Sequence, residues 1–245
     1  MVKIFLITVF EVQPLPLYAF YLLDVELKDV DYASKEKIGS LEAEAISRVG
    51  EDWKKKIHTR CSNLLIVDSC EHPVFLEQPV NFLHRTVRGF LRDQYIRQLE
   101  AVVNTHFVPP ISLCRIFLFF LKKQYQHNLN TKRQYNSMMG LVDELLYCAR
   151  EAENHELYEH QHASPVADIL DQVDAVNTLL MKKSRAVRNH WIHARDPPAP
   201  RGLGEYNEGH RHNWIALTIQ ARLVKYMRDI GGKGWPAAKE WPATA

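Results

Sequence analysis

The stretch Val80-Asn81-Phe82-Leu83-His84-Arg85-Thr86-Val87-Arg88-Gly89-Phe90-Leu91 reads as a short strand that turns directly into a helix. Val80 and Phe82 alternate, as on one face of a strand. Leu83, Val87, Phe90 and Leu91 follow helical spacing and would share one apolar face. His84 stands at the junction, beside helix N-terminal amides that favour an anion such as a phosphate. Just upstream, Leu64-Leu65-Ile66-Val67 is apolar and partly β-branched, which suits a partner strand. Residues 68–79 are polar and hold two prolines, so they form the tip of a two-stranded ribbon.

Working outward, residues 1–12 predict a helix ended by Pro14 and Pro16, and Leu17 opens a second short helix to Leu23. Residues 24–39 are charged and read as loop. Leu41 to Lys56 predicts a helix with Ser40 as its N-terminal cap. In the second half, 111–126, 135–153 and 165–181 each show helical periodicity. Ser164-Pro165 supplies a cap followed by a proline at the first helical position. Residues 195–202 are a proline-rich loop, and Trp214 to Ile230 predicts a last amphipathic helix stopped by Gly231-Gly232. The expected fold is mainly α: a winged-helix-like domain with a two-stranded β-ribbon over 1–95, a helical domain over 96–232, and a flexible tail over 233–245.

Composition sets the frame for function. The 245 residues are 46% hydrophobic and 24% charged, which suits a folded chain with an ordinary core. A formal net charge of +2 gives no global pull toward nucleic acid or an anionic membrane. Cys61, Cys70, Cys114 and Cys148 are scattered, and the last two lie in apolar runs, so they read as reduced thiols of a cytoplasmic protein. Lys3 followed by Ile4 to Phe10 mimics the start of a signal peptide, but Glu11 cuts the apolar run short. Ile111 to Leu121 is too short to span a bilayer and reads as a buried helix.

Several segments together carry a resemblance. Arg60-Cys61-Ser62-Asn63-Leu64-Leu65-Ile66-Val67 is similar to a strand entry that follows the NACHT module of fungal STAND signalling proteins. The FLHRTVRGFL segment resembles the end of the winged helix in that family, and Ile111 to Lys123 resembles its next helix. Trp214 to Tyr226 is similar to a later helix, so the resemblance covers residues 1–230. It implies a non-catalytic regulatory region of a nucleotide-controlled switch, in which ADP locks a closed form and exchange for ATP opens it. On that reading His84 would donate to the ADP β-phosphate, while Arg85 and Arg88 would support the same charge or grip an acidic face of the core. The implied partner is a NACHT nucleotide-binding module, in cis or in trans, along with other protein domains.

Two departures qualify the likeness. Gly89 stands where the family usually has Asp, at a cost of about 1 kcal/mol in helix propensity. No G-x-x-x-x-G-K-[ST] occurs, and Gly231-Gly232-Lys233-Gly234 lacks both the preceding strand and the following hydroxyl. The chain by itself therefore holds no cofactor, and ADP or ATP enters only if it is joined to a NACHT core.

Other chemistries leave thinner signals. No G-x-S-x-G elbow or H-E-x-x-H helix occurs, so no catalytic residue is assigned. His58, Cys61, Cys70 and His72 are types that bind zinc, as are His190, His193, His210 and His212, but neither spacing fits a zinc pattern and no metal ligand is assigned. The basic run Lys182 to Arg188 reads as a solvated helix end. Two alternatives to the switch stay open: a standalone helical protein-interaction module, and a zinc-dependent enzyme built on the histidine and cysteine clusters.

Overall fold

A computed structural model of the chain describes residues 1–68, 78–103, 107–123, 132–183 and 214–232. The proline-rich loop, the tail, Cys70, His72 and the histidines from His190 to His212 lie outside them.

The fold is mainly helical with one two-stranded antiparallel ribbon, as the sequence predicts. Helices α1 (Val2–Phe10), α2 (Leu17–Glu26) and α4 (Ala43–Arg60) precede the strands β1 (Leu65–Val67) and β2 (Val80–Phe82). Between α2 and α4 the segment expected as loop contains a one-turn helix, α3 (Tyr32–Lys35), whose Tyr32 and Ala33 are buried. Charged neighbours hid those two apolar positions. Helix α4 runs four residues beyond the expected end, and Glu42 rather than Ser40 stands at its N-cap. It ends where Ser62 and Asn63 adopt positive φ (48° and 62°), a conformation that asparagine tolerates well.

The ribbon pairs Leu65 with Phe82 and Val67 with Val80. A third piece of extended chain lies alongside. The Val80 amide donates to the Leu15 carbonyl (2.9 Å), and the Leu17 amide donates to the Gln78 carbonyl (3.1 Å). The two prolines that end α1 thus leave the turn before α2 free to pair with β2.

After β2 the chain enters α5 (Arg85–Phe90), a π-helical turn (Leu91–Tyr95) and α6 (Ile96–Val102) as one continuous run. The expected domain boundary after residue 95 falls inside this run. Leu83 precedes α5 instead of joining it. The apolar face predicted for this helix is only partly buried: Leu83 is 58% exposed and Phe90 48%. That face is split: Val87 and Leu91 are half-buried, Leu91 against the core, while Leu83 and Phe90 face solvent.

The centre of the molecule is α7 (Pro109–Lys123), which packs on α1, α2 and α3 and on the two long helices α8 (Lys132–Glu153) and α9 (Ala167–Lys183). It is apolar nearly all round because neighbours surround it. Its polar groups are matched. Lys122 donates to the carbonyls of Ala33 (2.8 Å) and Ser34 (2.9 Å) and to Gln172 Oε1 (2.8 Å). Arg115 and Ser112 both meet Glu26. Cys61, Cys114 and Cys148 are buried free thiols, held above the usual thiol range by burial.

The last predicted helix is two helices, α10 (Trp214–Gln220) and α11 (Val224–Gly232), broken where Arg222 takes φ 60°. Glu153 explains why α11 starts there. Its carboxylate accepts the amides of Lys225 (3.0 Å) and Tyr226 (2.8 Å), two of the donors that a helix N-terminus leaves open. The Tyr226 hydroxyl donates to Asp171 (2.7 Å) and accepts from the Trp214 indole (2.9 Å), tying both helices to α9. Among the described residues no helix is long and apolar enough to cross a membrane.

Candidate functional site

The end of β2 presents the strand-to-helix corner. His84 is the N-cap of α5 and is exposed. The Thr86 amide donates to its Nδ1 (3.3 Å), and the Thr86 hydroxyl lies 2.8 Å from the same atom. A backbone amide can only donate, so Nδ1 is an acceptor and the ring proton sits on Nε2. The imidazole therefore caps its own helix with one nitrogen and keeps an N–H for a second partner on the other.

Arg85 follows His84 on the exposed side. Arg88, one turn on, does something different. Its Nη2 donates to the carbonyls of Val9 (3.2 Å) and of the C-cap Glu11, at the end of α1 where carbonyls lack intrahelical donors. The structure therefore brings His84 and Arg85 together at the surface, while the Arg88 guanidinium is committed to α1.

Arg88 also forms part of a cleft that sequence reasoning missed. About 810 Å³ opens where the end of α1 meets α5, the π-turn and α8. Glu11 and Gln13 come from the first segment, Arg88 and Arg92 from the second, and Gly140 and Glu144 from the third. Two of these carboxyls are desolvated. Burial pushes Glu11 well above the usual carboxyl range, although Arg88 pulls the other way. Burial likewise pushes Glu144 up to about 7, opposed by a hydrogen bond from the Gln13 backbone. The one sequence signal for this cleft was Glu11 itself, a lone acid closing a seven-residue apolar run. Nothing local marks Glu144, which sits beside the buried Leu145 and Leu146 in the stripe of α8.

The π-turn borders the same cleft through Arg92. Its wider winding brings residues five apart into register, and Phe90 and Tyr95 accordingly meet at 4.8 Å between ring centres. Both rings face outward, at 48% and 40% exposure.

The other predicted sets can be placed in part. His58 is exposed, and Cys61 is buried under β1, so those two do not share a face. His155 caps a short 3₁₀ turn through the Leu157 amide (3.3 Å), and His162 lies 3.3 Å from Arg228. Among the described residues, no three histidine, cysteine or acidic side chains are grouped to hold a metal ion.

Fold and corner together define a helical module that displays a self-capped histidine at the exit of a β-ribbon. The chain belongs to the family described as Domain of unknown function (DUF7791), whose model matches residues 1–132. That span takes in the ribbon, the corner, α7 and two of the three walls of the cleft. No curated protein and no solved structure matches the chain.

Proposed function

We propose that this chain is a non-catalytic regulatory region of a fungal NACHT (STAND) signalling protein, acting in the cytoplasm and docking on a nucleotide-binding module supplied in cis or in trans. The observation that carries the reading is His84, exposed at the ribbon-to-helix corner with its Nδ1 fixed by Thr86. A ring held in that way offers an oriented Nε2–H to a phosphate oxygen. Arg85 beside it adds a second donor, and Arg88 contributes indirectly by seating the helix on α1. His84 and Arg85 thus fit a terminal phosphate. The rest of a nucleotide would have to be held by the core.

The test supplies that core. A NACHT module loaded with fluorescent ADP is mixed with the chain, and the nucleotide off-rate is measured. The wild-type chain slows release, and His84→Ala loses about tenfold of that retention. An off-rate that ignores the chain, or ignores the substitution, removes the assignment. A P-loop encoded in frame upstream would support it independently.

A second reading, a standalone protein-interaction module, draws on Leu83, Phe90 and Tyr95, three large apolar side chains exposed on one run of chain. It predicts partner binding that Phe90→Ser weakens and His84→Ala spares.

A further inference from the structure

We propose that the outer edge of β1 takes an acidic extended peptide as a further strand, beside the exposed apolar face of the ribbon. This goes beyond the switch reading and stands without it. It uses neither the His84 ring nor the Phe90 and Tyr95 pair, so its failure leaves both earlier readings intact.

The ribbon's hydrogen bonds fix which backbone groups are open. The Leu83 amide donates to the Leu64 carbonyl (2.9 Å), and the Asp68 amide donates to the Pro79 carbonyl (2.8 Å). With Ile66 opposite Asn81, the backbones of Leu64, Ile66 and Asp68 turn toward β2. Leu65 and Val67, between them, turn theirs the other way, and no described group meets those amides and carbonyls. The far edge of β2 differs, because the chain at Leu15 and Leu17 covers it. One edge is closed and the other is open. Such an edge is commonly blunted by a charged side chain or a proline, and Leu64 to Val67 holds neither.

The same alternation sorts the side chains. Leu65 and Val80 point into the core and are buried. Leu64, Ile66 and Leu83 lie on the opposite face, where Leu64 is 38% exposed and Ile66 39%. A further strand would continue this face and cover apolar surface that water now meets.

Charge selects the partner. Residues 53–67 and 79–92, which form and flank the ribbon, hold seven lysines and arginines and no aspartate or glutamate. The whole chain carries only +2. Lys56 and Arg92 pair with Asp52 and Asp93, and Arg88 is committed to α1. Lys55, Arg60 and Arg85 are exposed and have no ion-pair partner among the described residues. An acidic segment satisfies them. A second copy of this chain would bring the same cations against them, which opposes self-pairing. Nucleic acid would match the charge, but it has no strand to pair with the edge and no side chain to cover Ile66. Strand addition supplies both.

Fluorescence anisotropy on the full chain tests this with a short labelled peptide that alternates glutamate and valine. The probe binds, and added salt weakens it. The counterpart with lysine in place of glutamate does not bind. Two further versions are N-methylated on alternate amides, one on each set. A strand turns only one set of its amides toward an edge, so one version loses about tenfold in affinity and the other binds as before. Val67→Pro removes an outward amide without touching the bonds to β2, and it weakens the probe by a similar factor. Arg60→Glu changes an exposed side chain and weakens the probe more at low salt than at high salt. Absence of binding, equal effects of the two methylated versions, equal binding of the lysine peptide, or affinity untouched by both substitutions overturns the proposal. So does displacement of the probe by a short DNA duplex, or dimerisation of the chain that Val67→Pro abolishes.

Discussion

Two aromatic pairs on two helical runs set the contrast in this molecule. Phe119 and Phe120 on α7 meet edge-on at 6.0 Å, and both are buried. Phe90 and Tyr95 on the α5 run meet at 4.8 Å, and both are exposed. On α7 almost every residue is enclosed. On α5, the π-turn and α6 none is. Both runs carry large apolar side chains, but the α5 run interleaves them with Arg85, Arg88, Arg92, Asp93, Arg97 and Glu100, whereas α7 has only Arg115 and its terminal lysines. The number of neighbouring elements differs with it: α7 has helices on several sides, while the α5 run touches the rest of the protein mainly through α1 and β2. One run holds the fold together, and the other is carried by it.

Phe120→Ala tests the first half of that contrast and has the largest expected effect. Removing a fully buried ring should cost about 3–5 kcal/mol, read by chemical denaturation. A loss below about 1 kcal/mol would mean that α7 is not the centre of the core.

Arg88→Ala tests the join between the two runs. It strips the donors from the carbonyls of Val9 and Glu11 and should cost about 1–3 kcal/mol. Amide exchange should quicken in α5 well before α7. Uniform acceleration would erase the distinction between the carried run and the carrier.

Phe90→Ser should change stability least, by about 0.5 kcal/mol or less, because its ring already faces water. A loss as large as that of Phe120→Ala would break the comparison outright.

The same contrast explains what was legible in the sequence. Strand and helix order followed from period and from proline, because those signals are local: Val80 and Phe82 alternate, and Pro14 and Pro16 end α1. Burial of the α5 face did not follow, because it depends on which elements arrive from elsewhere in the chain. The single helix expected from Trp214 to Ile230 failed for a related reason. Its break is fixed by Glu153, a residue some seventy positions upstream that captures two amides. The histidine corner was readable as a corner, and Thr86 was visible two residues on, but the self-capping bond that orients the ring was not. The cleft was the least legible feature, since three separate segments build it.

The strip of chain from Leu15 to Leu17 has a practical consequence. Its carbonyl and amide hold β2 from the side, and the end of the preceding helix accepts the Arg88 guanidinium. Anyone cutting the chain into a minimal peptide around the FLHRTVR motif would discard both anchors with the first seventeen residues. Such a peptide would keep the letters and lose the shape, so dissection of this protein has to begin from its opening helix.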